Sequence, residues 1–252
     1  AAAKPQGLEL TYLATNSQGY REYRNEKDGS TLIEVPAGEF TMGSNRGDKN
    51  ERPVHTVTLD RYYISKYEIT VGQFMAFSNA TGYSTRGLFR KQPDINQTNY
   101  PIKQLQWVDA KAYCDWAGLR LPSEAEWEKA ARGTDSREYP WGNEWDPLKC
   151  NSGGSRDGYD GTAPVGSFAA GISPYGCYDM AGNVWEWCND WYDEDYYARS
   201  QQSNPPGPTA GKHHAMRGGG WDRSKEGICR SARRYRPTPA GWYGALGIRP
   251  AK

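Results

Sequence analysis

Histidine is nearly missing from this 252-residue chain. Only His55, His213 and His214 occur, and the last two are adjacent, which makes it hard to aim both at one metal ion. A three-histidine iron or zinc site is therefore not expected. Cysteine pairs of the CxxC form are also missing, and with them the zinc-ribbon and thioredoxin-type readings. The five cysteines, Cys114, Cys150, Cys177, Cys188 and Cys229, leave one thiol over after at most two disulfides, and small buried hydrophobes are the simplest reading of them. No run approaches the roughly 18 apolar residues of a membrane span, so none is expected. A charge surplus is lacking too: 31 Lys and Arg stand against 30 Asp and Glu, a net of +1, so no nucleic-acid partner is expected. Gly218-Gly219-Gly220 does not follow the phosphate-loop spacing, and Ser224 and Ser231 have no histidine nearby in sequence to build a hydrolytic triad.

What the chain has in excess is glycine and large rings: 29 Gly, 18 Tyr and 10 Trp, with 16 Pro. Rings bring apolar area with a polar handle, and glycine permits tight, irregular backbone. The composition predicts a loop-rich chain with an aromatic core. Residues 1–30 are polar and read as an N-terminal extension or a strand-and-turn preface. From Thr31 to Phe40 a strand, a Pro-Gly turn and a second strand follow, and His55–Leu59 and Tyr62–Ile64 continue the β pattern. Three helices are marked. The first is capped by Thr70 and ends near Gly82; the second carries Val108, Ala112, Tyr113 and Trp116 and stops at Gly118. The third opens on Ser123-Glu124-Ala125-Glu126, which has the form of a capping box, and stops at Gly133. Beyond it helical periodicity fades, and short strands with ordered loops are expected.

Six ordered segments resemble the formylglycine-generating enzyme (sulfatase-modifying factor) family. They are Val35–Ser44, Arg120–Glu128, Tyr139–Asn143, Gly182–Trp187, Arg217–Trp221 and Leu246–Arg249, spread over residues 31–252, the expected domain. The resemblance implies an α+β, C-type-lectin-like fold with small antiparallel sheets and few helices. The location expected is secreted, periplasmic or cell envelope, with no signal peptide in the sequence although Ala1 could follow a removed one, and the state expected is a monomer.

The family commonly holds two calcium ions, which demand hard oxygens on a chain able to bend around them. By similarity, Asn151 and Asp157 would give side-chain oxygens to one ion and Ser152 and Tyr159 carbonyls. Asp179 and Glu186 would give carboxylates to the other, with carbonyls from Gly182 and Val184. Ordinary Asx turns and a hydrogen-bonded buried Glu are the alternative reading of the same residues. Copper is another matter. Formylglycine-forming relatives carry two cysteines five residues apart shortly after the Arg-Gly-Gly segment, a pair whose soft thiolates suit copper(I). Here no cysteine lies five residues from Cys229 on either side, so neither copper nor formylglycine chemistry is expected.

Residues 212–252 hold ten Lys and Arg against two acids, a local net of +8 that leaves −7 on residues 1–211. Two readings compete. These arginines either line a groove, as the family resemblance implies for this stretch, or satisfy internal carboxylates. The groove reading assigns Trp221, Arg223, Arg230, Trp242 and Tyr243 to a peptide-like or anionic ligand, or to a protein partner. The function expected is a calcium-stabilised recognition protein without formylglycine activity. The alternatives are an oxidoreductase-type relative acting on a peptide-like substrate and a structural component of the cell envelope.

Overall fold

The computed structural model describes residues 10–86, 97–153, 157–222, 226–237 and 244–252. Strands β1 (Leu10–Thr15), β2 (Arg21–Asn25), β3 (Thr31–Val35), β4 (Gly38–Met42), β5 (His55–Leu59) and β6 (Tyr62–Ser65) come first. Four of them form an antiparallel sheet in the order β1-β2-β3-β6, and β4 pairs with β5 in a two-stranded ribbon. The segment read as an N-terminal extension is thus, from Leu10 onward, part of the first sheet, because β2 bonds to β3 along its length. Beyond the helices, β7 (Trp185–Trp191) lies between β8 (His214–Arg217), antiparallel to it, and the short parallel strand β9 (Leu246–Gly247). The sheets are small and the three helices short, as the family resemblance implies.

Helix α1 (Val71–Thr81) starts on Thr70, whose hydroxyl accepts from the Gln73 amide while the Gln73 side chain reaches back to Thr70. Gly82 ends it in the left-handed conformation, as Gly118 ends α2 (Trp107–Ala117). In α2 the expected stripe is rotated. Val108 is 40% exposed, and the buried face is Ala110, Tyr113, Cys114 and Ala117. Tyr113 belongs to both stripes, since one bulky ring fits two registers.

Helix α3 (Glu124–Arg132) is buried along its whole length, although five of its nine residues, Glu124, Glu126, Glu128, Lys129 and Arg132, are charged. Buried charge must be paired or hydrogen-bonded, and each of these is. Glu126 holds Arg120 through two contacts of 2.6 Å. Lys129 donates to the carbonyls of Pro36 and Gly38, and Arg132 to Glu128 and to the carbonyls of Gly43, Ser136 and Arg137. The helix therefore couples β4, β7 and β8, and its Ala125, Trp127, Ala130 and Ala131 join Ile64 in one apolar cluster, while a second gathers Phe74, Tyr113 and Trp187.

Candidate functional site

The arginines of the C-terminal stretch divide between the two readings, and those described are mostly internal. Arg217 is fully buried, with Glu128 at 2.6 Å and Glu124 at 3.1 Å. Arg234 holds Glu124 at 2.6 Å, and Arg249 holds Glu186 at 2.8 Å, again without exposure. Burial alone would raise the carboxyls of Glu124 and Glu128, but Arg234 and Arg217 on the first, and Arg217 and Arg132 on the second, hold both below the ordinary range. Arg230 belongs with this group. Expected to face a ligand, it is buried instead and grips both oxygens of Glu51, at 2.5 and 2.7 Å. The local charge of +8 is thus largely answered from inside, by acids of residues 1–211. Of the other groove candidates, Trp221 is half-buried, with Lys103 5.7 Å above its ring, and Arg223, Trp242 and Tyr243 lie outside the described residues.

The two calcium segments meet. Asn183 donates its amide to the Asn151 carbonyl, and Asn151 bridges to Gly182. Gly182 is in the left-handed region at φ 83°, and a Cβ there would run into the Asn151 carbonyl, so the close approach requires glycine. In the first segment Asp157 accepts from the Ser152 and Tyr159 amides, while the buried Oδ1 of Asn151 has no hydrogen-bond partner among the described residues. An orphaned buried acceptor is what a hard cation would satisfy, so Asn151 in the first set suits calcium. In the second, Asp179 accepts from the Gly166 amide at 2.7 Å, and burial pushes its carboxyl up to about 6. Glu186 is already engaged, by Arg249 and by the Trp127 indole at 2.5 Å. Glu68, which no sequence motif marks, accepts from the Asn183 side chain and the Val184 amide, so that among the described residues only one of these three buried acids, Glu186, is held by a guanidinium. That leaves surplus negative charge for a cation to answer, although among the described residues no three His, Cys, Asp or Glu side chains converge as ligands. Calcium here would depend on carbonyl and amide oxygens.

All five cysteine side chains are buried. Cys229 packs with Cys150 and Ala181 under Trp141 and Trp145. The neighbouring Cys229 thiol, with burial, pushes Cys150 far above the ordinary thiol range.

An open cavity of about 680 Å³ lies where β7 ends and β8 begins. Its walls include the indoles of Trp107, Trp187 and Trp191 and the rings of Pro206, Pro208 and Pro237. Two of the indoles are fixed from behind: Trp187 donates to the Leu105 carbonyl at 3.1 Å and Trp107 to the Cys188 carbonyl at 3.0 Å. The signal for this site was present in Trp185-Glu186-Trp187-Cys188-Asn189-Asp190-Trp191, whose tryptophans fall on alternate positions and hence on one strand face. In the sequence those residues stand out only as part of the family motif.

Three comparisons with known proteins agree. Residues 18–252 match the family model described as the sulfatase-modifying factor enzyme 1-like domain. The chain is 36% identical to the formylglycine-generating enzyme of Thermomonospora curvata, with 75% of this chain and 81% of that protein aligned. It is 34% identical to the enzyme of the same name from Mus musculus, over 87% of this chain and 74% of the other. Among solved structures, PvdO from Pseudomonas aeruginosa superposes with a TM-score of 0.78 at 30% identity, covering 91% of this chain and 97% of its own. Treponema denticola variable protein 1 shares the fold, with a TM-score of 0.72 at 24% identity over 98% and 99% of the two chains.

Proposed function

The chain belongs to the sulfatase-modifying factor family, and from that premise we propose that it is a recognition member that does not form formylglycine, using the surface built by its C-terminal stretch. The observation that carries this reading is the surroundings of Cys229. It is the single cysteine of residues 212–252, it is buried, and the thiol packed with it comes from Cys150 on another segment, beside a candidate calcium ligand. A pair reaching a peptide substrate needs two thiolates open to that substrate. The ring-walled cavity beside β8 supports a binding role, since it combines rigid apolar walls with a few polar groups. Calcium at the Asn151/Asp157 and Asp179/Glu186 segments would brace the loops on which this surface stands, which suits a location outside the cytoplasm.

The reading is tested by incubating the purified protein with copper(I), oxygen and a sulfatase-type cysteine peptide, and weighing the peptide by mass spectrometry. An unchanged mass is expected. Conversion of the cysteine to the aldehyde would overturn the proposal and turn attention to Cys150 and Cys229 as the reacting thiols. Turnover of another peptide-like substrate with oxygen consumption would favour the oxidoreductase alternative.

A further inference from the structure

The cavity at the end of β7 is built around one histidine. His214 lies between two tryptophans, stacked on Trp107 at 3.8 Å with the planes 4° apart and on Trp191 at 3.9 Å and 22°. Both ring faces are covered, so only the ring edge can line the cavity. On that edge Nδ1 lies 3.0 Å from the Asn189 carbonyl, which can only accept, so Nδ1 carries the hydrogen. Nε2 is then the lone-pair nitrogen, and burial between the rings lowers the basicity of His214, against the pull of the Asn189 and Asp190 backbone. The histidine is held in a fixed orientation, and burial between the indoles disfavours a positive charge on it.

The wall that carries Trp191 is equally fixed. A Cβ on Gly211 would come within 2.9 Å of the Trp191 side chain, so the loop leading to Lys212 packs directly on that indole. Lys212 itself is exposed, lines the cavity, and has no ion pair among the described residues. Among the described residues no acidic side chain lines the cavity either. This sets Lys212 apart from the buried arginines of the same stretch, each of which has its carboxylate. A cation with no internal partner stands at the mouth of a rigid cavity with indole and proline walls. Flat or ring-shaped bodies pack well on such walls, and the open ammonium selects charge.

We propose that this cavity binds a small molecule with an anionic group on a flat, ring-shaped apolar body, the ring lying against the indole and proline walls and the anion meeting Lys212. The proposal deepens the recognition reading by naming a ligand class. Its test is independent of the peptide assay, so the two can fail separately.

The experiment is titration calorimetry of the intact chain with three probes: 2-naphthoate, the uncharged 2-naphthalenemethanol with the same ring system, and acetate, an anion without a ring. Naphthoate is expected to bind about tenfold or more tightly than the alcohol, a preference in the range of one charge-assisted contact, and acetate to give no measurable heat. Lys212→Ala should bring naphthoate down to the affinity of the alcohol without altering the alcohol, and Lys212→Glu should reverse the preference. Lys212 is exposed and makes no described contact, so these variants keep the fold; their melting temperatures check this. Equal affinity for acid and alcohol, indifference of naphthoate to Lys212→Ala, or no binding of either ring compound would each overturn the assignment.

Discussion

Asp190 accepts a hydrogen bond from the Glu124 amide at 3.0 Å, inside the protein and next to the Glu124 charge. Burial, then that charge, pushes its carboxyl up from 3.8 to about 8. Between those two values the folded chain keeps a proton that the unfolded chain has released. Stability from this group is therefore fully present below pH 3.8 and lost as pH rises through about 8. Asp190→Asn keeps an oxygen for the Glu124 amide without the charge, and should raise the melting temperature above pH 8, a gain in stability on the order of a few kcal/mol, while changing little at pH 4. A variant with unchanged pH dependence of melting would mean that Asp190 is charged when folded. The ion pairs allow a second comparison. Arg217→Met leaves Glu124 and Glu128 short of a buried partner and should cost about 3–5 kcal/mol. Arg199→Ala removes an exposed pair with Asp193 and should cost under about 1 kcal/mol. Denaturant unfolding of both variants measures the contrast, and equal losses would contradict the assignment of Arg217 as an internal strut.

At the level of elements, α3 depends on its first turn. The Ser123 hydroxyl accepts from the Glu126 amide at 3.1 Å and the Glu126 carboxylate accepts from the Ser123 amide at 2.8 Å. Ser123→Ala should lower stability by about 1 kcal/mol, and Ser123→Asp should recover most of it, as urea unfolding would register. This box was legible in the sequence, as were Thr70, Gly82, Gly118 and Gly133, because caps are written in neighbouring residues. The strands from Thr31 to Ile64 were legible for the same reason. The partners of Arg230 and Arg234 were not: an arginine looks the same in sequence whether it meets Glu51, Glu124 or solvent, and those acids lie far away along the chain. The His214 stack was hidden likewise, since its two tryptophans come from α2 and β7. Local chemistry can be read from a string, but long-range pairing needs the fold.

Across the whole molecule, calcium is the broadest prediction. A cation that binds only the folded chain stabilises it by mass action, so EDTA should lower the melting temperature and added calcium restore it. Asn151→Ala and Asp179→Ala separate the two segments, and each should remove part of the calcium response. Identical melting curves with EDTA and with calcium, together with no metal by elemental analysis, would refute calcium at both segments.

The ion pairs of this fold also set an order of events in time. Glu128 waits 89 residues for Arg217, Glu124 waits 110 for Arg234, and Glu51 waits 179 for Arg230. Until those arginines leave the ribosome, Glu51 and Glu124 have no buried guanidinium and Glu128 has only that of Arg132, and residues 1–211 carry their −7 uncompensated. The first sheet and α3 can gather early but cannot close on one another. Consolidation of this protein should come late in synthesis, in one step, and fragments that stop short of Arg217 should stay open to proteases that spare the whole chain.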